Sequence, residues 1–340
     1  MWVADLVAAY ATASGRDIRA VDGVTFDVQE GEVLGIVGES GCGKSTLASL
    51  LALVPPRSLQ MLGGRFGIDD HVISPETSDR IPREWRGKLV ALLPQRAMNS
   101  LNPTARIGDF AFDVLRAHES RVTRRQAIER ARQRLEQLAL PPRVLESYPH
   151  QLSGGMRQRV VTVISTLLNP KVLIADEPTS ALDVSSQKAL VLLLQRLLDE
   201  GYISRIIFIT HDLPLLSNIA DRIAVFYAGK IVEIGPTKQI VDEPQHPYTR
   251  ALISSTLVPE PRVRCQRLEG LPGAPPDLRM PPPGCRFHPR CRYATDICAR
   301  EEPPLTADGD DRLVACWWAN AQRQNVEGGT HESRAAVGLA

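Results

Sequence analysis

The chain has 340 residues, 43% of them hydrophobic, and its 40 Lys and Arg residues nearly balance its 39 Asp and Glu residues. This length predicts about two domains, and the apolar content excludes a wholly disordered protein. The net charge of +1 provides no general electrostatic attraction to nucleic acid, so we expect no nucleic-acid partner.

No stretch of the sequence could span a bilayer, because a spanning helix needs roughly 20 consecutive apolar residues. The best candidate, Val160 to Leu168, is far shorter and contains Thr and Ser. The first residues, MWVADLVAAY, lack a basic start, which argues against an ordinary secretory signal. The sequence therefore predicts a cytosolic chain that reaches a membrane only through a partner.

A complete phosphate-binding loop follows the first predicted strand. The apolar run Val33 to Val37 predicts this strand, and GESGCGKST leads from it into a predicted helix, as the motif requires. Backbone N–H groups of such a loop converge on phosphate oxygens, and the helix N-terminus adds partial positive charge. Lys44 is expected to reach the β- and γ-phosphates, and the Ser45 hydroxyl to bind Mg²⁺. The residues predicted to contact the nucleotide are Gly38, Ser40, Gly41, Gly43, Lys44, Ser45 and Thr46.

Two contrasting segments follow this loop. Residues 57–87 are rich in Gly, Pro and Asp and are predicted to be irregular, with few strands. Thr123 to Leu140 is the clearest helix of the sequence, because Thr123 and Gln126 form a capping box ahead of one apolar face.

Three later predicted strands each lead into polar side chains. They are Lys88 to Leu93 before Gln95, Lys171 to Ala175 before Asp176 and Glu177, and Ile206 to Thr210 before His211. Strands that alternate with helices predict an α/β fold with a parallel sheet, whose carboxyl ends bind ligands. Asp176 is expected to hold Mg²⁺, and Glu177 to activate the attacking water as a general base. Gln95 is expected to contact Mg²⁺ and the γ-phosphate, and His211 the γ-phosphate; ordinary structural roles are the alternative for both.

The order of these motifs along the chain resembles that of the ATPases of ABC transporters. The run Leu152-Ser-Gly-Gly-Met156 is similar to that family's signature, and Asp176 to Asp183 is similar to its acidic pair and following loop. The resemblance implies an ABC-type P-loop ATPase core with a helical subdomain over residues 1–256. It also implies that Gln95 belongs to the family's glutamine loop.

The family resemblance also implies a mechanism in which two ATPase domains face each other head to tail around two ATP molecules. Ser153, Gly154 and Gly155 are then expected to bind the γ-phosphate of the partner's ATP, with Asp183 nearby. Tyr10 is expected to stack on adenine, although it could instead be a core residue. ATP closes the pair of domains, hydrolysis reopens it, and a transmembrane partner uses this cycle.

A narrower resemblance points to importers of dipeptides and oligopeptides. It rests on Leu101-Asn-Pro103, Gln245 to Leu252, Pro272-Gly273 and Gly284 to Cys291. It implies ATP-driven solute import with a homologous ATPase subunit in a heterodimer, two transmembrane permeases and an extracytoplasmic solute-binding protein. The chain is then expected on the cytoplasmic face of the cell membrane. Nickel chelates and oligosaccharides stay open as alternative solutes.

Two other classes of ABC ATPase are less consistent with the sequence. A soluble ATPase for DNA repair would carry a long coiled coil between Lys44 and Leu152, and a ribosomal one would carry two ATPase cores. An exporter subunit is disfavoured by the segment Gln245 to Leu252 and by the cysteines that follow. The weakest part of the narrower resemblance is Pro94, where an aromatic residue is usual, together with residues 57–85.

The last part of the chain is predicted to be a Pro- and Cys-rich domain over residues 257–320, followed by a disordered tail over residues 321–340. Four thiols within a segment so poor in apolar residues suit either Zn²⁺ or an iron–sulfur cluster. The short Cys knuckle of zinc modules is missing, and the resemblance to peptide importers implies a [4Fe–4S] cluster. Free or disulfide-bonded cysteines are the remaining alternative. The predicted ligands are Cys285, Cys291, Cys298 and Cys316.

Overall fold

The computed structural model describes residues 1–12, 17–95, 97, 101–255, 270–309 and 311–323. The predicted tail beyond residue 323 therefore lies outside the described residues. The strands are β1 (Trp2–Tyr10), β2 (Ile18–Asp27), β3 (Val33–Val37), β4 (Leu59–Ile68), β5 (His71–Ile73), β6 (Val90–Leu93), β7 (Val172–Asp176), β8 (Arg205–Thr210), β9 (Arg222–Tyr227), β10 (Lys230–Pro236), β11 (Thr306–Ala307) and β12 (Leu313–Val314). The helices are α1 (Lys44–Leu51), α2 (Trp85–Lys88), α3 (Ile107–Arg116), α4 (Arg124–Gln137), α5 (Gly154–Ser165), α6 (Val184–Asp199), α7 (Leu213–Leu216), α8 (Thr237–Asp242), α9 (Pro247–Ser254) and α10 (Asp296–Arg300).

The central sheet has the strand order β11-β12-β10-β9-β3-β8-β7-β6. Strands β9, β3, β8, β7 and β6 run parallel, whereas β10 and β12 pair antiparallel at the far edge. Successive side chains of these strands enter opposite cores: Leu173 faces one buried cluster, whereas Val172 and Ile174 face the other. Both faces are covered, as is usual for parallel sheets. The predicted α/β fold with a parallel sheet is confirmed.

A second, antiparallel sheet has the order β2-β1-β4-β5, and α1 lies between it and the central sheet. The prediction of an irregular segment at residues 57–87 is wrong, because this segment contains β4 and β5. Gly64 lies in β4 with φ of 72°, and a Cβ there would lie 2.2 Å from the Asp5 carbonyl oxygen. The strand therefore needs glycine where two backbone segments pack closely. Because glycine is unfavourable inside strands, the sequence of β4 lacks the pattern that predicts a strand.

The segment between β6 and β7 is mainly helical. It contains α3, α4 and α5, which pack against one another and add to the core cluster on one face of the sheet. The predicted capping box of α4 is confirmed: Gln126 N–H donates to Thr123 Oγ1, and Thr123 N–H donates to Gln126 Oε1 at 2.9 Å. The turn that resembles the family signature, Ser153 to Gly155 (hereafter the signature turn), lies at the N-terminus of α5.

Residues 270–309 and 311–323 pack directly on the central sheet and on residues next to it. Strand β12 pairs with β10, with Val314 opposite Glu233, and so extends the central sheet. The Phe287 ring lies edge-on to Tyr227, with ring centres 5.3 Å apart, and also contacts Tyr248. The predicted boundary between residues 256 and 257 falls in a stretch outside the described residues, so both domain limits stay predictions.

Within the described part of the chain, no helix combines the length and apolar character that crossing a bilayer requires.

Candidate functional site

The predicted phosphate loop connects β3 to α1, and two of its glycines lie against other backbone segments. A Cβ on Gly38 would lie 2.1 Å from the Phe226 carbonyl oxygen, and a Cβ on Gly43 only 2.0 Å from that of Ala20. Gly43 also has φ of 111°, a conformation that L side chains rarely adopt. The loop can therefore take this shape only with glycine at both positions.

Lys44 is the first residue of α1 and is almost fully buried. Its Nζ donates to the carbonyl oxygens of Gly38 at 2.7 Å and of Glu39 at 2.8 Å. These bonds hold the ammonium group inside the loop. A concentrated positive charge thus lies beside the backbone N–H groups at the helix N-terminus, an arrangement that suits phosphate.

The two predicted Mg²⁺ ligands from α1 and β7 meet in space. The Ser45 hydroxyl donates to Asp176 Oδ1 at 3.2 Å. Burial raises the pKa of Asp176, and the Ser45 hydrogen bond opposes that rise. A hydroxyl and a carboxylate are oxygen ligands of the kind that Mg²⁺ prefers, so this donor set fits the predicted metal.

The three predicted catalytic side chains form one cluster. Gln95 Nε2 donates to Glu177 Oε2 at 2.8 Å, and His211 Nδ1 lies 3.3 Å from Glu177 Oε1. Gln95 thus contacts Glu177, the predicted general base, whereas its own predicted contacts with Mg²⁺ and the γ-phosphate stay predictions. Glu177 itself has φ of 44°, and its N–H donates to the Ile209 carbonyl oxygen at 2.8 Å. Such a strained backbone is typical of residues whose position serves a function.

Tyr10 lies at the end of β1, half-buried, and packs against the core cluster around α1. Its hydroxyl is 3.2 Å from Thr46 Oγ1 on α1. The side chain therefore reaches the first turn of the helix that follows the phosphate loop. Its predicted stacking on adenine stays a prediction.

The signature turn is arranged differently from the phosphate loop. Ser153 caps α5, accepting a hydrogen bond from Met156 N–H at 3.3 Å, and both Ser153 and Gly154 are exposed. A Cβ on Gly155 would lie 2.4 Å from Ser186 Oγ, so this glycine lets α5 approach α6. Among the hydrogen bonds of the described residues, none joins the signature turn to the phosphate loop.

Asp183 is the N-cap of α6, and the first turn of this helix packs against Gly155 of the signature turn. Asp183 accepts hydrogen bonds from the hydroxyls of Ser185 at 2.6 Å and Ser186 at 2.8 Å, and from Ser186 N–H at 2.9 Å. These bonds lower the pKa of Asp183 to about 2. The carboxylate is thus an N-cap in this structure, and its predicted contact with nucleotide stays a prediction.

The sequence did not predict a role for three residues in or next to the phosphate loop, namely Glu39, Tyr248 and Arg290. Glu39 belongs to the loop, and its N–H donates to the Tyr248 hydroxyl oxygen at 2.9 Å. Its carboxylate accepts two hydrogen bonds from the Arg290 guanidinium, at 2.6 and 3.0 Å. Both partners lie within segments that the sequence marked as similar to peptide importers, yet nothing in the local pattern points to the loop.

The four predicted metal-binding cysteines are free thiols in neighbouring parts of the C-terminal segment. Burial, with a smaller contribution from the neighbouring thiols of Cys316, Cys298 and Cys291, raises the pKa of Cys285 to about 12. No group of three or more His, Cys, Asp or Glu side chains in the described ranges is arranged to hold a metal ion. The arrangement thus does not support the predicted iron–sulfur site, nor the zinc alternative.

Two family models match separate parts of the chain. The model of the ABC transporter family matches residues 21–180, which include the phosphate loop, the signature turn and Glu177. The model described as the C-terminal region of oligopeptide and dipeptide transporters matches residues 232–298, which include Tyr248 and Arg290.

Similar curated proteins span nearly the whole chain. The dipeptide transport ATP-binding protein DppD of Caldanaerobacter subterraneus is 42% identical over 315 residues, which cover 92% of this chain and 95% of that protein. The oligopeptide transport ATP-binding protein OppD of Bacillus subtilis is 40% identical over 328 residues, covering 96% and 90%. The fold is similar to the solved dimeric structure of the bacterial ABC transporter cassette MJ0796, with a TM-score of 0.58, 24% identity, and coverage of 69% of this chain and 98% of that one.

Proposed function

This chain belongs to the ABC transporter family of ATP-binding proteins, and we propose that it hydrolyses ATP to drive import of dipeptides or oligopeptides. The proposal of hydrolysis rests on the position of Glu177. Gln95 and His211 contact its carboxylate, and the neighbouring Asp176 is hydrogen-bonded to Ser45. The peptide solute rests on relatives named for dipeptide and oligopeptide transport, which match this chain over nine-tenths of its length.

The chemistry proposed for this site is attack of water on the γ-phosphorus of ATP, with cleavage of its bond to the β–γ bridging oxygen and release of ADP and phosphate. Glu177 takes the proton of that water, and the contacts from Gln95 and His211 fix the direction of its carboxylate. Lys44 and the loop N–H groups bind the phosphates and balance their charge. Ser45 and Asp176 would hold Mg²⁺, which would neutralise negative charge on the phosphates.

We infer that the site is completed by a second, homologous ATPase. The exposed Ser153 and Gly154 leave backbone N–H groups of the α5 N-terminus open to a ligand from outside the chain. In the proposed assembly this turn binds the γ-phosphate held by the facing subunit's loop, with Asp183 beside it and Tyr10 stacked on adenine. Two permeases and an extracytoplasmic binding protein complete the transporter, with this chain on the cytoplasmic face of the membrane.

A transport assay tests the solute. In cells that carry either the parent chain or Lys44→Ala, uptake of labelled dipeptides and oligopeptides is compared with uptake of a nickel chelate and an oligosaccharide. We expect Lys44→Ala to abolish peptide uptake alone. Loss of nickel or oligosaccharide uptake with normal peptide uptake would assign a different solute. ATPase activity of the parent with no change in any uptake would favour the soluble class.

We also propose a [4Fe–4S] cluster on Cys285, Cys291, Cys298 and Cys316, with Zn²⁺ as the alternative, on the chemistry of the donor set. Four neighbouring thiols suit a soft metal centre, although their arrangement in the structure is not that of a closed site. The test is anaerobic purification with iron, sulfide and zinc analysis. Visible absorbance that disappears in Cys291→Ser, with about four irons per chain, is expected. Stoichiometric zinc or no metal would reject the cluster.

A further inference from the structure

We propose that Arg290 is a positioning residue for the phosphate loop and acts through Glu39, an inference that rests on nucleotide binding at this loop. The Arg290 guanidinium forms a two-pronged ion pair with the Glu39 carboxylate, at 2.6 and 3.0 Å. Only 6% of the Arg290 side chain and 18% of the Glu39 side chain are exposed to solvent. Paired bonds of this kind fix both the distance and the orientation of a carboxylate.

Glu39 connects the C-terminal part of the chain to Lys44. Its carboxylate is held by Arg290, its N–H donates to the buried Tyr248 hydroxyl, and its carbonyl oxygen accepts from Lys44 Nζ at 2.8 Å. A shift of Glu39 would therefore move an acceptor that fixes the phosphate-binding ammonium group. Arg290 and Tyr248 thus act on the loop from 251 and 209 residues away in the chain.

Arg290 is itself held firmly enough to position another residue. Its Nε donates to the Pro272 carbonyl oxygen at 2.6 Å, and Nη1 lies 3.3 Å from the Tyr227 hydroxyl. The guanidinium carbon is 6.0 Å from the centre of the Phe287 ring. Lysine could supply the charge at a single point but could not reproduce this fork of bonds.

The ion pair also has an electrostatic consequence for nucleotide binding. Glu39 places a negative charge in the loop that must bind the negatively charged triphosphate, and Arg290 balances that charge. Without Arg290, the carboxylate would repel the phosphates in a partly buried site, where screening by water is weak. Replacing Arg290 should therefore weaken ATP binding, although Arg290 is not among the residues predicted to contact the nucleotide.

The experiment measures ATP affinity of the full-length chain with Mg²⁺ by titration calorimetry, and the ATPase KM and kcat of the assembled transporter complex. For Arg290→Gln we expect roughly tenfold weaker ATP binding and a raised KM, with kcat at saturating ATP little changed. Adding Glu39→Gln removes the unbalanced carboxylate and should restore most of the affinity. The matched control is Arg312→Gln, because Arg312 is also a largely buried arginine, with 11% of its side chain exposed, and its partners, Asp308 and the Glu243 carbonyl oxygen, lie outside the loop.

The results distinguish a positioning role of Arg290 from a general structural role. Unchanged affinity in Arg290→Gln overturns the proposal. A loss that Glu39→Gln does not rescue, or an equal loss in Arg312→Gln, overturns it as well, since either result would show only a general structural role. If Arg290→Gln does not fold, Arg290→Lys replaces it: weaker binding supports the proposal, and parent-like binding overturns it. A parent chain that binds ATP no better than Lys44→Ala would instead refute the proposed function.

Discussion

The phosphate loop and the signature turn are both glycine-containing segments at the start of a helix, but their surroundings differ. The loop is enclosed: Lys44 is buried, and Glu39 is held by Tyr248 and Arg290. The turn is open: Ser153 is exposed, and its side chain bonds only within its own helix among the described contacts. In the proposed assembly, one half of an ATP site is therefore built within this chain, whereas the other half is the exposed signature turn offered to a facing subunit.

Because of this difference, we expect the phosphate loop (the enclosed half) and the signature turn (the open half) to respond differently to mutation. Residues of the enclosed half act on nucleotide in the isolated chain, so their variants should change binding or chemistry directly. Residues of the open half act on nucleotide only through the proposed facing subunit. Their variants should leave the isolated chain unaffected and lower activity only in the assembled complex. Four predictions test this division, in order of decreasing effect.

Glu177→Gln should lower kcat by about 10²–10⁴-fold while ATP still binds, because the amide cannot take the proton of the attacking water. Phosphate release and ATP affinity are measured in the assembled transporter complex. The control is Glu200→Gln, the same change at an exposed acid at the end of α6, which should behave like the parent. Near-normal phosphate release from Glu177→Gln would exclude the general-base role.

Ser153→Ala should lower the ATPase rate of the complex by about tenfold, since one hydrogen bond to the partner's nucleotide is lost. ATP affinity of the isolated chain should not change. Calorimetry on the isolated chain and turnover of the complex are compared side by side. Weakened ATP binding by the isolated variant would mean that the open half is not separate from the enclosed one.

Mg²⁺-dependent ATP binding should weaken as the pH falls, beginning at a higher pH than an ordinary aspartate would cause. Burial raises the pKa of Asp176, so its protonated form, which cannot bind Mg²⁺ well, persists to higher pH. Affinity is measured at descending pH in the parent and in Asp176→Asn. The variant should bind weakly throughout and lack this part of the pH dependence; an identical profile in both would contradict the assignment.

Thr123→Ala should have the smallest effect on function. It removes the N-cap of α4 and should cost about 1 kcal/mol of unfolding free energy, with ATP affinity and turnover unchanged. Because Ser153 is also an N-cap, this variant shows how much of the Ser153→Ala effect is simple loss of a cap. Thermal unfolding and ATPase assays on the same preparation provide the measurement. A loss of turnover equal to that of Ser153→Ala would remove the evidence for a signature role.

The features of this protein that can be predicted from its sequence are those encoded over short distances. The phosphate loop, the acidic pair Asp176-Glu177 and the capping box of α4 each depend on neighbours a few residues apart. Their spacing is visible in one stretch of chain, and the structure has them at the predicted places. The parallel order of strands followed from the alternation of apolar runs with helices for the same reason.

Only the tertiary structure decided the features that join distant parts of the chain. Strand β4 carries three glycines that break the alternating pattern, and its strand state comes from pairing with β1 at the other side of the phosphate loop. The Glu39–Arg290 ion pair joins residues whose local sequences contain no sign of each other. Periodicity and spacing report local geometry, whereas a contact across 251 residues depends on how the C-terminal part of the chain packs against the loop that follows β3.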